Sequence, residues 1–164
     1  MNEIEIVEKI NKLQKEINSL KQQLNDSSNE RWVPIYGQDY YAIDTCGRVE
    51  FNINNNNCYD ECAIDFRNCF RTQEEAETEA EKILIRRQLE DIAKRLNKGK
   101  KIDWEDENQE KYCLIFDYME NKICRYASCV VRSDISYCLD ENFCDIAIQE
   151  IGEERLKKYL RSNE

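Results

Sequence analysis

Residues 4–24 read IEIVEKINKLQKEINSLKQQL, and within them Ile6, Ile10, Leu13, Ile17, Leu20 and Leu24 recur at spacings of 4, 3, 4, 3 and 4. That alternation is a heptad seam, with Ile10, Ile17 and Leu24 at a and Ile6, Leu13 and Leu20 at d. A lone helix of this length is marginal in water, and Ile4 and Val7 are the only apolar residues in it off the stripe, so it needs a partner. Ile at a with Leu at d favours two parallel strands. Glu16 at g would face Lys21 at e of the other chain, whereas Lys9 meets only Gln14. No Asn or Lys interrupts the seam to fix its register, so trimeric, tetrameric and antiparallel pairing stay open. The competing reading lays the helix back on its own domain. A period of about 3.5 residues and a narrow stripe favour self-association through these six residues.

Beyond Leu24 the pattern changes to that of an α+β domain. The division expected is a coiled-coil oligomerisation helix over 1–25, a polar hinge over 26–31 and a globular domain over 32–161, built from two antiparallel sheet/helix modules at about 32–98 and 111–161. Tyr40 to Ile43 and Val49 to Ile53 read as strands joined by a hairpin at Asp44-Thr45-Cys46-Gly47, with Gly47 in a left-handed conformation. Asn54 to Asn57 reads as a mobile loop and Ala63 to Phe66 as a third strand. Thr72-Gln73-Glu74-Glu75 is a capping box that should open a helix from Gln73 to about Asn97, with Ala76, Ala80, Ile83, Leu84, Ile92, Ala93 and Leu96 on its buried face. After a charged connector, Tyr112 to Phe116, Ile123 to Val131 and Ile135 to Leu139 read as strands. Asp140 then caps a helix to Ile151, Gly152 breaks it, and Glu153 to Leu160 closes the chain. Both halves have the order hairpin, loop, short strand, capped helix, with Thr72 aligned on Asp140 and Ala76 on Cys144, the order an internal duplication would leave.

Composition narrows the chemistry. Acidic residues number 34 against 24 basic ones, a net charge of −10, and no basic run is long enough for a nucleic-acid arm, so direct nucleic-acid binding is disfavoured. Histidine is absent, which removes imidazole metal sites and the commonest general base. No phosphate cradle or activated nucleophile is written in the chain, so neither an enzyme nor a cofactor is expected. The nine cysteines contain no Cys-x-x-Cys pair; most sit in apolar runs such as Cys129-Val130-Val131 and read as small reduced core residues. A zinc site using Cys58 and Cys62 is the weaker alternative. No stretch is apolar enough for a membrane span and the charged start is no signal peptide, so a cytoplasmic protein is expected.

The segment Asn68-Cys69-Phe70-Arg71-Thr72-Gln73-Glu74-Glu75-Ala76-Glu77, preceded by Tyr40-Tyr41-Ala42-Ile43 and followed by Ile148 to Tyr159, resembles small proteins encoded by phages and prophages of Gram-positive bacteria. The likeness runs from Trp32 to Tyr159 and implies a phage context in a host bacterial cytoplasm. Within that context, an acidic oligomer is expected to inhibit a host defence nucleoprotein, in the anti-CRISPR manner, by occupying a basic nucleic-acid channel. The residues expected to meet that partner are Glu74, Glu77, Glu79 and Glu81 with Asp103, Glu105, Asp106 and Glu107, and Trp104 either as a hot spot or as the anchor of its own connector. Two further readings are a sponge for a nucleotide signal, drawing on Arg86, Arg87, Lys94, Arg95 and Lys98 to Lys101, and a phage structural or regulatory adaptor.

Overall fold

A computed structural model describes residues 3–27, 31–128 and 135–161. The chain is α+β, with five helices and two small antiparallel sheets among these residues. It divides into two compact units, residues 1–80 and 81–164. No helix among the described residues is long and apolar enough to cross a membrane.

The first unit begins with α1 (Glu3–Ser27), followed by the hairpin of β1 (Asp39–Ile43) and β2 (Val49–Ile53). Register runs from Asp39 opposite Ile53 to Ile43 opposite Val49. The turn is fixed by Asp44, whose Oδ1 accepts the N–H groups of Cys46 and Arg48, both at 2.8 Å, and by Gly47 at φ +83°. A side chain at Gly47 would favour the other half of φ space, so glycine is the residue this turn requires. Phe70 then returns to β1 and exchanges two backbone hydrogen bonds with Tyr41, of 3.0 and 2.9 Å.

Ala63 to Phe66 is not a strand. It belongs to α2 (Cys58–Asp65), whose start is a capping box: Asn57 Oδ1 accepts from the N–H of Tyr59 and Asp60, and the Asp60 carboxylate accepts the N–H of Asn57. An Asn followed three residues later by Asp closes the same reciprocal pair as the Thr-x-x-Glu form, and this local signal outweighs the short apolar run. The asparagine run is a loop, and its first residue is tied into the unit. Asn54 is buried, donates to the Pro34 carbonyl at 2.7 Å and accepts the Asn56 N–H at 2.9 Å. Tyr40, Ala42, Ala63 and Cys69 form the core of this unit, with Trp32 and Ile64 packed on it.

Helix α3 (Gln73–Asn97) starts at the expected box, with Glu75 N–H on Thr72 Oγ1 and Thr72 N–H on Glu75 Oε2, each at 3.2 Å. Its buried face differs from the expected one in the middle. Ile85 and Leu89 are buried while Leu84 is 46% exposed. In the run Ile83-Leu84-Ile85 successive side chains turn by about 100°, so the packing partner rather than the pattern selects which points inward.

In the second unit β3 (Tyr112–Asp117) pairs with β4 (Lys122–Ala127), α4 spans Phe143–Ile151 and α5 spans Glu153–Arg161 after the break at Gly152. The core joins Ile85, Leu89, Ile92 and Ala93 to Leu114, Cys138, Phe143, Ala147, Ile151, Leu156 and Tyr159. The expected strand at Ile135 to Leu139 is reduced to one bridge, Cys138 to Tyr112, and β4 ends at Ala127, with Cys129, Val130 and Val131 outside the described residues. Asp140 does not cap α4. Its Oδ1 accepts from the backbone and side-chain nitrogens of Asn142, at 2.9 and 3.0 Å, and so closes the turn that precedes the helix.

Candidate functional site

The stripe of α1 is exposed. Ile6, Ile10, Leu13, Ile17 and Leu20 are between 42 and 60% exposed, as is Val7 beside them. The side chains of Leu24 and Lys21 lie outside the described residues. Among the described residues Asn18 joins α1 to the rest of its unit: its Nδ2 donates to the Tyr36 carbonyl at 3.2 Å, and its Oδ1 accepts from Gln14 Nε2 at 3.2 Å. Asn18 is a b position, off the seam. That contact is made by a polar residue off the seam, and the a and d side chains from Ile6 to Leu20 stay exposed.

The acidic residues fall into two sets. Glu74 and Glu77 are exposed near the start of α3, where the helix dipole favours negative charge, and Glu77 accepts from Gln73 Nε2 at 2.7 Å. Glu79 is half-buried and already has a partner, and Glu81 accepts from Arg155 Nε at 2.6 Å. The carboxylates left free in this set are fewer than four. In the connector, Asp103 Oδ1 accepts the Glu105 N–H and Asp106 Oδ1 the Asn108 N–H, both at 2.9 Å, while the exposed carboxylates of Glu105 and Glu107 have no partner among the described residues.

Trp104 is half-buried and acts as the anchor of that connector. Its ring meets Tyr137 edge-on at 4.9 Å between centroids and has Lys111 Nζ 5.6 Å above it. Lys111 is buried, and its ammonium donates to the carbonyls of Asp106 and Gln109, each at 2.7 Å. Residues 103–110 thus wrap around an internal cation that offsets part of their own negative charge. Nothing in the apolar periodicity signalled Lys111; the signal available was a lone Lys between an acidic run and a strand.

Several of the basic residues are engaged. Arg86 pairs with Glu90 at 3.5 Å and Arg95 with Glu150 at 2.5 Å. An open groove of about 750 Å³ in the second unit includes Lys100, Glu110, Tyr112, Asp140 and Glu141 in its lining. There the Tyr112 hydroxyl donates to Glu110, whose carboxylate holds the phenol above its ordinary range, and Arg125 lies 5.3 Å over the Tyr112 ring while pairing with Glu141 at 3.5 Å.

The cysteines separate by position. Cys69, Cys113, Cys138 and Cys144 are buried, and burial pushes the Cys144 thiol up to about 11. Cys46, Cys58 and Cys62 are exposed instead of buried, because the turn and the outer face of α2 carry them to solvent. Among the described residues no group of three or more His, Cys, Asp or Glu is placed to hold a metal ion. No family model, curated protein or solved structure matches the chain.

Proposed function

We propose that this protein works by binding, as an acidic homo-oligomer zipped through α1 that covers a basic surface on a host nucleoprotein. The observation that carries this reading is the exposed seam of Ile6, Ile10, Leu13, Ile17 and Leu20, with Asn18, which bonds the Tyr36 carbonyl, lying off it. Ile and Leu at these positions favour a parallel pair. Each stripe side chain buried between two helices contributes roughly 1.5–3 kcal/mol. Two linked copies bind a target with higher avidity than one without any new contact.

The free carboxylates of Glu74, Glu105 and Glu107 support an electrostatic partner, because exposed like charges steer association with a basic surface. The resemblance to phage and prophage proteins supports an inhibitor of bacterial defence, of the anti-CRISPR kind, in the host cytoplasm. The nucleotide-sponge reading has less support, since Arg86 and Arg95 are already paired with Glu90 and Glu150.

The two halves are further proposed to be duplicated modules. Tyr41 and Tyr112 occupy the same place: each sits in the first strand of a hairpin and bridges a residue, Phe70 or Cys138, just upstream of a helix. Trp32 and Trp104 precede those strands by similar lengths of chain, and each packs in its own unit.

Sedimentation velocity at micromolar protein tests the zipper. The wild-type chain should run as a dimer or larger, and Leu13→Glu with Leu20→Glu should run as a monomer. Capture of partners from a bacterial host lysate, repeated over a salt series, tests the target: retention should fall steeply with salt. A monomeric wild-type chain sinks the assembly, and a salt-insensitive complex sinks the electrostatic mechanism.

A further inference from the structure

We propose that the outer edge of β2 pairs with β2 of a second copy, antiparallel and across a twofold axis, making one four-stranded sheet from two hairpins. The proposal rests on self-association through α1, which would supply the second copy at high local concentration.

The register of the hairpin dictates which groups are available. Asn54 N–H donates to Gln38 O at 2.9 Å and Asp44 N–H to Arg48 O at 2.8 Å, so the bonded pairs of this ladder fall at even positions. The odd residues Val49, Phe51 and Ile53 therefore aim their N–H and C=O groups away from β1. Asn55 Nδ2 bonds the Ile53 carbonyl at 3.0 Å, and the backbone of Phe51 has no partner among the described residues. On the opposite edge of β1, Phe70 occupies the equivalent groups of Tyr41.

The side chains of Val49, Phe51 and Ile53, which share one face of β2, are apolar, while Glu50 and Asn52 stand on the other face. Phe51 is 56% and Ile53 46% exposed, and Phe51 meets Tyr41 edge-on at 5.6 Å. Edge strands are ordinarily protected by Lys, Pro or a bulge. Val-Glu-Phe-Asn-Ile has no Lys or Pro, its ladder with β1 is unbroken, and Glu50 is its single charged residue. The edge of β4 is built differently, with Lys122 and Arg125 on the strand.

A twofold register centred on Phe51 suits this strand. It sets Phe51 opposite the partner's Phe51, Val49 opposite the partner's Ile53, and Glu50 opposite the partner's Asn52, and the aromatic row Tyr41–Phe51 continues into the other copy. Centred one residue earlier, it would oppose Glu50 to the partner's Glu50, a like-charge pair that destabilises. A two-stranded sheet is marginal alone, and four strands with a shared apolar face are not.

Residue-resolved amide exchange by NMR, with sedimentation on the same samples of the full chain, tests this. In an associated wild-type chain the outward amides of Val49, Phe51 and Ile53 should exchange at least about tenfold more slowly than in the Leu13→Glu/Leu20→Glu variant. Phe51→Lys should restore fast exchange at Val49 and Ile53 without dissociating α1, and the inward amides of Glu50 and Asn52 should stay protected, showing that the hairpin is intact. An associated wild-type chain with fast outward amides overturns the sheet pairing and leaves the zipper standing. A monomeric wild-type chain overturns both, and protected outward amides in a monomer would assign the edge to a segment of the same chain.

Discussion

Replacing Asp60 by Ala should unfold the first unit more readily than any other single polar substitution in it. Asp60 is 2% exposed and Tyr40 is fully buried, with the Tyr40 hydroxyl donating to Asp60 Oδ1 at 2.7 Å. Asp60 Oδ2 takes the backbone N–H of Asn55 at 2.8 Å and of Asn57 at 3.1 Å. One carboxylate thus ties β1, the asparagine loop and the start of α2 together. Hydrogen bonds to a charged acceptor contribute roughly 1.5–3 kcal/mol each, and they are not additive here because the three donors share one group, so the loss should be about 3–5 kcal/mol. Tyr40→Phe removes one donor and leaves two, for about 1–2 kcal/mol.

The pH dependence is fixed in sign. Burial alone would favour the neutral acid, but the Tyr40 hydroxyl and the two N–H groups outweigh it and hold the Asp60 carboxyl below its ordinary value. A group depressed in the folded state stabilises above its unfolded pKa, near about 3.9 for Asp, and that stabilisation is lost as pH falls through the folded value. Urea unfolding followed by Trp32 fluorescence in a Trp104→Phe background reads this unit, since Trp32 packs on its core. The wild-type midpoint should drop on acidification below about pH 4, and Asp60→Asn should flatten that part of the profile. An unfolding free energy for Asp60→Ala within about 0.5 kcal/mol of wild type would refute the argument.

Lys111→Met should free the connector by about 1–3 kcal/mol, since the carbonyls of Asp106 and Gln109 lose their donor; a red shift of Trp104 emission with faster amide exchange over 105–110 would report it. Asn57→Ala should cost about 1 kcal/mol through the cap of α2, measured by the same urea titration. A thiol reagent at neutral pH should modify Cys46, Cys58 and Cys62 well before Cys69, Cys113, Cys138 and Cys144, which should react only on unfolding; peptide mass mapping reads the order.

Much of the fold is legible residue by residue, wherever a local interaction decides. The Thr72 box, the Asp44–Gly47 turn and the break at Gly152 each place an element boundary, because the bonding partners lie within four residues of one another. The same logic was written at Asn57-Cys58-Tyr59-Asp60 and reads less plainly, since Asn and Asp fit loops as well as caps. The candidate site divides likewise. The α1 stripe is visible as spacing, but neither the pairing of Glu81 with Arg155 nor the cage around Lys111 has any sequence period, because those partners meet only through folding.

The sequence by itself determined the α1 seam, the alternating hairpins and the α+β character, since periodicity and caps act over a few residues. Tertiary structure alone decided that Ile85 rather than Leu84 faces the core, that Trp104 packs on Tyr137, and that Phe51 and Ile53 are left exposed. Burial and charge pairing depend on which distant segments arrive at a surface, and no local pattern encodes that arrival.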